Sequence, residues 1–370
     1  MHMATGIYIH IPYCRGKCVY CDFYSVPSRR GMETVAEGIS SELRAALAAR
    51  GTEPVSTVYI GGGTPSVMPP QLLAMIVREI PAGAIEEFTV EANPDDVTPQ
   101  WVEAMREMGV DRVSMGVQSL DDTVLRRIGR RHTAQQARRA VDTLLDGGIS
   151  NVSCDLIYGL PGQSAREWED DLRRILEWPL CHLSAYCLTW AVGTPLYRMM
   201  LAGKVRPADD ADLAERYALL ERLTAGAGYE HYEISNFARP GYRSRHNSLY
   251  WARDGRWIGV GPAAHSFDGA VRRANPCEIA TWAARLPYPG EAEDESALDR
   301  INDRIVSALR TAEGLDLDEM PAVARDALSA AAARFVDAGL ATMAHGRMAI
   351  PSVHWFISDS IIRELLIERL

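Results

Sequence analysis

Residues 7–23, IYIHIPYCRGKCVYCDF, combine a strand pattern with an unusual group of cysteines near the start of the chain. Isoleucine occupies every second position of the first five residues, which predicts a β-strand. Cys14, Cys18 and Cys21 follow at CxxxCxxC spacing, so three of the seven cysteines in the chain lie within eight residues. A cysteine loop directly after a strand indicates a metal or redox centre at the end of that strand.

The composition is typical of a globular, cytoplasmic protein. The 370 residues are 47% hydrophobic and 24% charged. The net charge of −10 argues against nucleic acid as a partner, because phosphate contacts need a basic surface. No apolar run approaches the roughly 20 residues of a membrane span, and no secretory signal pattern is visible. The other four cysteines are scattered, which argues against a disulfide framework.

Short β-rich runs alternate with amphipathic helical segments about every 30 residues, which is the pattern of consecutive βα units. The predicted strands are residues 7–11, 57–60, 87–92, 111–117, 151–158 and 182–188. The predicted helices between them are residues 33–50, 70–80, 99–108, 133–146 and 164–178. Six such units predict an α/β fold with a parallel sheet.

Polar residues and glycines cluster where these strands end. The cysteine loop follows the first strand, Gly61-Gly62-Gly63-Thr64 follows the second, and the next three strands end near Glu91, Gln118 and Asp155. Because parallel strands bring their carboxyl ends to one edge, we expect these groups to converge on a single mouth.

Three thiolates at this spacing can bind three irons of a [4Fe–4S] cluster and leave the fourth iron open to a substrate. Zinc is an alternative, but a structural zinc site needs four ligands. His10 is the one near candidate for the fourth, and a hydrogen-bonding role is more typical of such a histidine. A redox pair formed by Cys18 and Cys21 is a second alternative, which leaves Cys14 without a role.

The sequence resembles the radical S-adenosylmethionine (SAM) enzymes. Besides the cysteine loop, the resemblance is carried in order by IYIHIPYC, VYIGGGTPS, VEANP, RVSMGVQSL, DLIYGLPGQ, YEISNFARPG, HNSLYW and GVGPAAHS. It implies a partial (β/α)6 TIM-like barrel that holds a [4Fe–4S] cluster. In this family SAM chelates the open iron, and reduction cleaves it to a 5′-deoxyadenosyl radical.

The resemblance also implies roles for individual residues. The implied cluster ligands are Cys14, Cys18 and Cys21, and the implied SAM contacts are Tyr8, Gly62, Gly63, Thr64, Glu91, Gln118, Arg130 and Asp155. Glycines allow close approach of backbone to SAM, acidic and amide oxygens suit ribose hydroxyls or the ammonium, and an arginine fork suits the carboxylate. Arg130 is chosen over Arg131 by the spacing typical of the family.

Within the superfamily, the sequence resembles the heme chaperones, relatives of the oxygen-independent coproporphyrinogen III dehydrogenases. His246-Asn-Ser-Leu-Tyr250-Trp251 fits the HNxxYW signature of the chaperones, which implies heme as a further cofactor, with His246 as an iron ligand and the two aromatic rings against the macrocycle.

Two departures from the dehydrogenases favour a chaperone. The dehydrogenase pattern CxxxCxxCxC has a fourth cysteine, whereas Cys21 is followed by Asp22 and Phe23. The sequence as given also begins close to the first strand, without the segment that precedes it in the dehydrogenases. We therefore expect a radical SAM heme chaperone without coproporphyrinogen dehydrogenase activity. A dehydrogenase, a radical SAM methyltransferase and a zinc protein are the alternatives.

We expect three regions along the chain. Residues 1–200 would form the partial barrel, 201–290 an extension that carries HNxxYW, and 291–370 a C-terminal, winged-helix-like domain. The last region combines helical patterns at 301–311, 321–337 and 357–370 with a short β pair at 341–343 and 347–350. The resemblance implies heme and apo-hemoproteins as partners, including membrane respiratory proteins, and leaves a homodimer open.

Overall fold

The computed structural model describes residues 5–50, 53–252 and 254–369. Within them, the strands of one large sheet are β1 (Thr5–Ile11), β2 (Val55–Gly62), β3 (Glu87–Ala92), β4 (Arg112–Gln118), β5 (Asn151–Tyr158), β6 (His182–Cys187), β7 (Glu230–Glu233), β8 (Asn236–Ala238), β9 (Arg256–Val260), β10 (His265–Phe267), β11 (Arg272–Ala274) and β12 (Glu291–Ala292). A small sheet contains β13 (Leu315–Asp316), β14 (Thr342–Ala344) and β15 (Arg347–Ala349).

Helices surround the large sheet and make up most of the C-terminal part. In the described residues they are α1 (Met32–Arg50), α2 (Pro70–Val77), α3 (Pro99–Glu107), α4 (Asp122–Arg127), α5 (Ala134–Asp146), α6 (Ala165–Leu176), α7 (Pro195–Leu201), α8 (Asp210–Gly226), α9 (Arg245–Trp251), α10 (Ile279–Ala283), α11 (Ala297–Leu309), α12 (Ala322–Asp337) and α13 (Ser358–Leu365). None of these helices is long and apolar enough to cross a membrane.

The centre of the large sheet is the predicted series of βα units. Strands β1 to β6 lie side by side in chain order and are all parallel. The six predicted strands therefore form, with boundaries shifted by a few residues, and they confirm the α/β fold class. Helices α5 and α6 begin at the predicted start signals, because Thr133 and Ser164 are the N-caps of capping boxes. Helix α4 was not predicted; Asp121 caps it.

Shorter strands extend the sheet on both sides. Strand β9 pairs parallel with β1 and is followed outward by antiparallel β10, β11 and β12, while β8 and β7 continue antiparallel from β6. In the described residues the sheet stays open, with β12 and β7 at its edges. Regions 1–200 and 201–290 therefore share one sheet. The C-terminal part combines α11, α12 and α13 with the small sheet, in order β13-β15-β14, as expected of a winged-helix-like domain.

The strands of the parallel sheet have one apolar and one polar face. On β1, Ile7, Ile9 and Ile11 are fully buried in the hydrophobic core shared with the helices. The alternate residues face the concave side, where the register aligns Gly6 with Thr57 and Tyr8 with Tyr59. The inside of the partial barrel, which we call the lumen, is therefore polar, and the apolar core lies between the sheet and the helices.

A buried carboxylate on α1 holds the segment after β9 in place. Glu42 is 4% exposed, and its oxygens accept hydrogen bonds from the Gly261 backbone N–H at 2.8 Å, the Trp282 indole at 2.8 Å and the Asn275 amide at 2.6 Å. Burial raises the pKa of Glu42 to about 7, although the three donors act in the opposite direction. One side chain thus joins α1, the loop after β9 and α10.

We expect Glu42→Gln to destabilise the fold by about 1–3 kcal/mol, because the new amide would present a donor to groups that are themselves donors. Glu37→Gln changes an exposed glutamate on the same helix and is the matched control. The free energy of unfolding in urea measures the effect. Equal values for the two variants would show that the Glu42 contacts contribute nothing to stability.

Candidate functional site

A cavity of about 840 Å³ opens at the edge of the sheet where β1 to β6 end. Groups from the cysteine loop, the turn after β2, the ends of the following strands and the C-terminal domain all line it. The predicted site residues among them are Cys14, Cys18, Cys21, Gly62, Gly63, Thr64, Glu91, Gln118, Arg130 and Asp155. The structure therefore brings together most of the residues that the sequence singled out.

The three cysteines of the loop are free thiols on one side of this cavity. Cys14 Sγ donates to the Gly16 carbonyl at 3.0 Å, and an Arg130 guanidinium nitrogen, Nη1, lies 3.7 Å from Cys18 Sγ. Burial raises the pKa of the Cys21 thiol. Among the described residues, no three His, Cys, Asp or Glu side chains are grouped closely enough to hold a metal ion as they stand. The donor set, three thiols beside a cation, suits an iron–sulfur cluster.

Close packing explains the three glycines of the turn after β2. A Cβ on Gly61 would lie 2.8 Å from the Tyr59 ring, and one on Gly63 would lie 2.5 Å from the Tyr13 carbonyl oxygen. Gly62 has φ +112°, and its Cβ would lie 2.8 Å from the His10 ring. Each position therefore requires glycine because of neighbouring protein atoms. The turn can approach the cysteine loop only without side chains.

Glu91, at the end of β3, is held between a tyrosine and the glycine turn. Its carboxylate accepts the Tyr59 hydroxyl at 2.8 Å and the Gly62 N–H at 3.2 Å. Burial raises the pKa of Glu91 to about 7, and burial also raises the pKa of Asp155, whose Oδ1 accepts the Ser114 hydroxyl at 3.3 Å. The sequence analysis missed Tyr59, although it lies on the same strand face as Gly61.

Arg130 and Arg131 differ in their surroundings. Arg130 donates to the Asn93 side-chain oxygen at 2.6 Å and to the Gly116 carbonyl, and its buried Nε has no hydrogen-bond partner among the described residues. Arg131 forms an ion pair with Asp95 at 2.6 Å. Arg130 lines the cavity, and its contact with SAM stays a prediction. Asn93 was missed by the sequence analysis, although it follows Glu91 in the VEANP segment.

Gln118 has an unusual backbone conformation at the end of β4. Its φ of 71° lies in the left-handed region, which a non-glycine residue rarely adopts. A Cβ on Gly116 would lie 2.9 Å from Gln118 Nε2, so the amide folds back over its own strand beside the cavity. Such strain is concentrated at functional sites in proteins, and the role of Gln118 in binding SAM stays a prediction.

Tyr8 and His246 do not belong to the described cavity lining. The Tyr8 hydroxyl is 3.1 Å from His10 Nδ1. The His246 ring is fully buried, and both of its nitrogens are hydrogen-bonded, Nδ1 to Thr57 Oγ1 at 2.8 Å and Nε2 to the Tyr250 hydroxyl at 3.0 Å. Ligation of heme by His246 stays a prediction, and it would require α9 to move away from the sheet.

The C-terminal domain contributes one wall of the cavity. Trp355, Phe356, Ser358 and Asp359 line the same cavity as the cysteine loop, although the two segments lie near opposite ends of the sequence. Arg310, at the end of α11, also lines it and pairs with Asp359 at 2.7 Å. The cavity is therefore enclosed by segments from both ends of the sequence.

Comparison with known proteins identifies the superfamily and the fold of the chain. Residues 8–175, which contain the cysteine loop and the first five strand ends, match the radical SAM superfamily. The protein is thus a radical SAM protein, whose cofactors are a [4Fe–4S] cluster and SAM. The coproporphyrinogen III oxidase HemN of Escherichia coli, described as a radical SAM enzyme, has a similar structure, with a TM-score of 0.85 over 99% of this chain and 90% of that one. At 19% sequence identity this similarity shows the fold.

Curated relatives narrow the class to one family. The heme chaperone HemW of Mycobacterium tuberculosis is 33% identical over an alignment of 379 positions, which covers 98% of this chain and 94% of the relative. The heme chaperone HemW of Escherichia coli is 38% identical over 312 residues, which cover 80% of this chain and 79% of the relative. The chain belongs to the HemW family of radical SAM proteins.

The cysteine assignment can be tested by metal analysis. We expect the protein reconstituted under anaerobic conditions to hold about four irons per chain, as one cubane cluster requires. Cys14→Ala, Cys18→Ala and Cys21→Ala should each abolish this content, whereas Cys277→Ala, at an exposed cysteine outside the loop, should not. Iron retained in all three loop variants would refute the assignment.

The choice of Arg130 can be tested by SAM binding to the cluster-loaded protein. Arg130→Ala should weaken binding by about 2 kcal/mol, or about thirtyfold, because a charge-assisted hydrogen bond is lost. Arg131→Ala breaks only the pair with Asp95 and should leave the affinity nearly unchanged. Calorimetric titration measures both, and circular dichroism verifies that both variants are folded. The reverse order of effects would assign the ligand contact to Arg131.

Proposed function

We propose that this protein is a heme chaperone that binds heme and delivers it to apo-hemoproteins, with a [4Fe–4S] cluster on Cys14, Cys18 and Cys21 and SAM in the adjoining cavity. The observation that carries the proposal is the single cavity that combines three free thiols with polar strand ends, in a chain that belongs to the HemW family. Its curated relatives are named heme chaperones.

The residues of the cavity fit the proposed cofactors. When bound, the cluster would supply an open iron and an electron for SAM. The Arg130 guanidinium lies beside Cys18 Sγ and lines the cavity, where it suits an anionic group such as the SAM carboxylate. Glu91, Gln118 and Asp155 provide oxygens on the facing strand ends for ribose hydroxyls or an ammonium.

The C-terminal domain lines part of the cavity with apolar side chains. Trp355 and Phe356 of the C-terminal domain provide apolar surface over a site whose strand ends are polar. We assign heme to this protein on the grounds of family membership. The predicted heme segment is α9, where Tyr250 and Trp251 are partly buried and His246 is buried.

The cytoplasm is the proposed location, and membrane respiratory proteins are the proposed recipients of heme. These proposals follow from the resemblance of the sequence to the heme chaperones and from its acidic, globular composition.

Coproporphyrinogen III dehydrogenation is the second candidate, and the similarity of the fold to HemN favours it. The residue two positions after Cys21 is Phe23, which is 67% exposed, whereas the dehydrogenase pattern has a fourth cysteine there. This difference in the cysteine loop favours the chaperone.

Heme binding and substrate turnover separate the two functions. We expect the reconstituted protein to shift the Soret band of added heme and to pass heme to a model apo-hemoprotein. We expect no decarboxylation of coproporphyrinogen III in the presence of SAM and a reductant. Formation of protoporphyrinogen with proportionate consumption of SAM would establish the dehydrogenase instead. Product analysis by chromatography measures the turnover, and a Cys18→Ala variant without cluster is the control for background reaction.

A further inference from the structure

The HNxxYW helix α9 lies at the opposite end of the lumen from the cysteines. Its N-terminal N–H groups are capped by Glu87, at the start of β3, which accepts from the Arg245 and His246 backbones at 2.8 and 3.0 Å. The Ser244 hydroxyl donates to the same carboxylate at 3.3 Å. Helix α9 is thus fastened to the N-terminal ends of the strands whose other ends line the cavity.

The side chains of α9 enter the lumen between β1 and β2. His246 is hydrogen-bonded to Thr57 on β2, and a Cβ on Gly6 of β1 would lie 3.0 Å from His246 Cε1 and 2.7 Å from Leu249 Cδ1. The strand therefore has glycine where the helix approaches it. The fit leaves His246 no room to shift without disturbing β1 and β2.

Two tyrosine rings continue from the His246 ring toward the cavity. The His246 and Tyr59 rings stack with centroids 5.2 Å apart and an interplanar angle of 29°. Tyr8 lies 6.1 Å from Tyr59 and 6.5 Å from His246 by the same measure. We refer to Tyr8, Tyr59 and His246 as the floor stack.

Two hydrogen-bonded arms connect the floor stack to the groups around the cavity. In the first, the Tyr59 hydroxyl donates to Glu91, which accepts the Gly62 N–H with its other oxygen. The Tyr59 ring and Glu91 fit there because Gly61 has no side chain. This arm ends at the glycine turn.

The second arm runs to the cysteine loop. His10 Nε2 donates to the Tyr24 carbonyl at 3.1 Å, so His10 Nδ1 accepts from the Tyr8 hydroxyl at 3.1 Å. Tyr24 follows the third cysteine by three positions. The glycine turn and the cysteine loop are therefore connected, through Tyr59 and Tyr8 respectively, to the floor stack that contains His246.

We propose that α9 positions the SAM site from the opposite end of the lumen. His246 is the positioning residue, and it acts through Tyr59 on Glu91 and Gly62. This inference rests on the proposed binding of SAM in the cavity. It assigns to the HNxxYW signature a role in SAM binding that is separate from heme ligation. The sequence places His246 far from the SAM residues, whereas the structure connects them by two contacts.

The test is the SAM affinity of cluster-loaded protein, measured by calorimetric titration and normalised to iron and sulfide content. His246→Ala should lower the affinity about tenfold, which is typical for loss of a residue that orients the groups in direct contact with a bound cofactor. Thr57→Val removes one hydrogen bond to His246 at nearly constant shape and should lower the affinity about threefold. Ser248→Ala, at a variable position of HNxxYW on the same helix and outside the floor stack, is the matched control and should change the affinity less than about twofold.

A double-mutant cycle separates positioning from a general loss of structure. Tyr59→Phe removes the hydroxyl that holds Glu91, so adding His246→Ala to Tyr59→Phe should cost less affinity than His246→Ala does alone. The change that SAM causes in the electron paramagnetic resonance spectrum of the reduced cluster should differ between wild type and His246→Ala. Fully additive effects would show that His246 does not act through Tyr59.

Other outcomes distinguish this inference from the proposed function. Unchanged SAM affinity in folded His246→Ala, together with an altered Soret band, would overturn the inference in favour of heme ligation. If His246→Ala does not fold, unchanged affinity in Thr57→Val overturns it. Wild type that binds cluster and SAM but no heme would overturn the chaperone function, while the expected losses in the variants would still support the inference. Cluster-loaded wild type that binds no SAM would overturn both.

Discussion

The contact between the cysteine loop and the turn after β2 is the constraint on which the site depends. The Gly63 N–H donates to the Ile11 carbonyl at 2.9 Å, and at Gly62 and Gly63 no Cβ could be accommodated against His10 and Tyr13. The segment that carries the thiols and the glycine turn are therefore in direct backbone contact, which fixes their relative position. A flexible pair of loops would have to be ordered each time a ligand bound, with a corresponding loss of conformational entropy.

The cysteine loop is also held from its other sides. Arg15 pairs with buried Asp96 at 2.6 Å, the Cys14 N–H donates to the Val26 carbonyl at 3.1 Å, and the Val19 N–H donates to the Ile128 carbonyl at 3.2 Å. The Asp96 and Ile128 contacts come from segments after β3 and after β4, so the position of the loop depends on the order of strands in the sheet. The position of the cavity is a property of the whole parallel sheet, although its three cysteines lie within eight residues of the sequence.

Much of the fold could be predicted because the parallel strands and their helices have strong local patterns. Period-two isoleucines define β1, and capping signals define the starts of α5 and α6. The two- to five-residue strands β7 to β12 have no comparable pattern, since tertiary pairing decides them. The site residues at strand ends were predictable for the same topological reason. The burial of His246 was not, because its partner Thr57 lies 189 positions away in the sequence.

The polar lumen also helps to select the correct strand register during folding. A strand of a two-sided apolar sheet can slip by one residue at little cost, whereas here a slip would turn Ile7, Ile9 and Ile11 into the lumen and His10 into the helix layer. The same exchange on β3 would bury Glu91 among apolar side chains without its donors. The polar residues on the lumen face of the strands therefore also make misregistered sheets unfavourable. Replacing Glu91 with an apolar residue would remove a polar group from the cavity and, at the same time, weaken the discrimination against the wrong register.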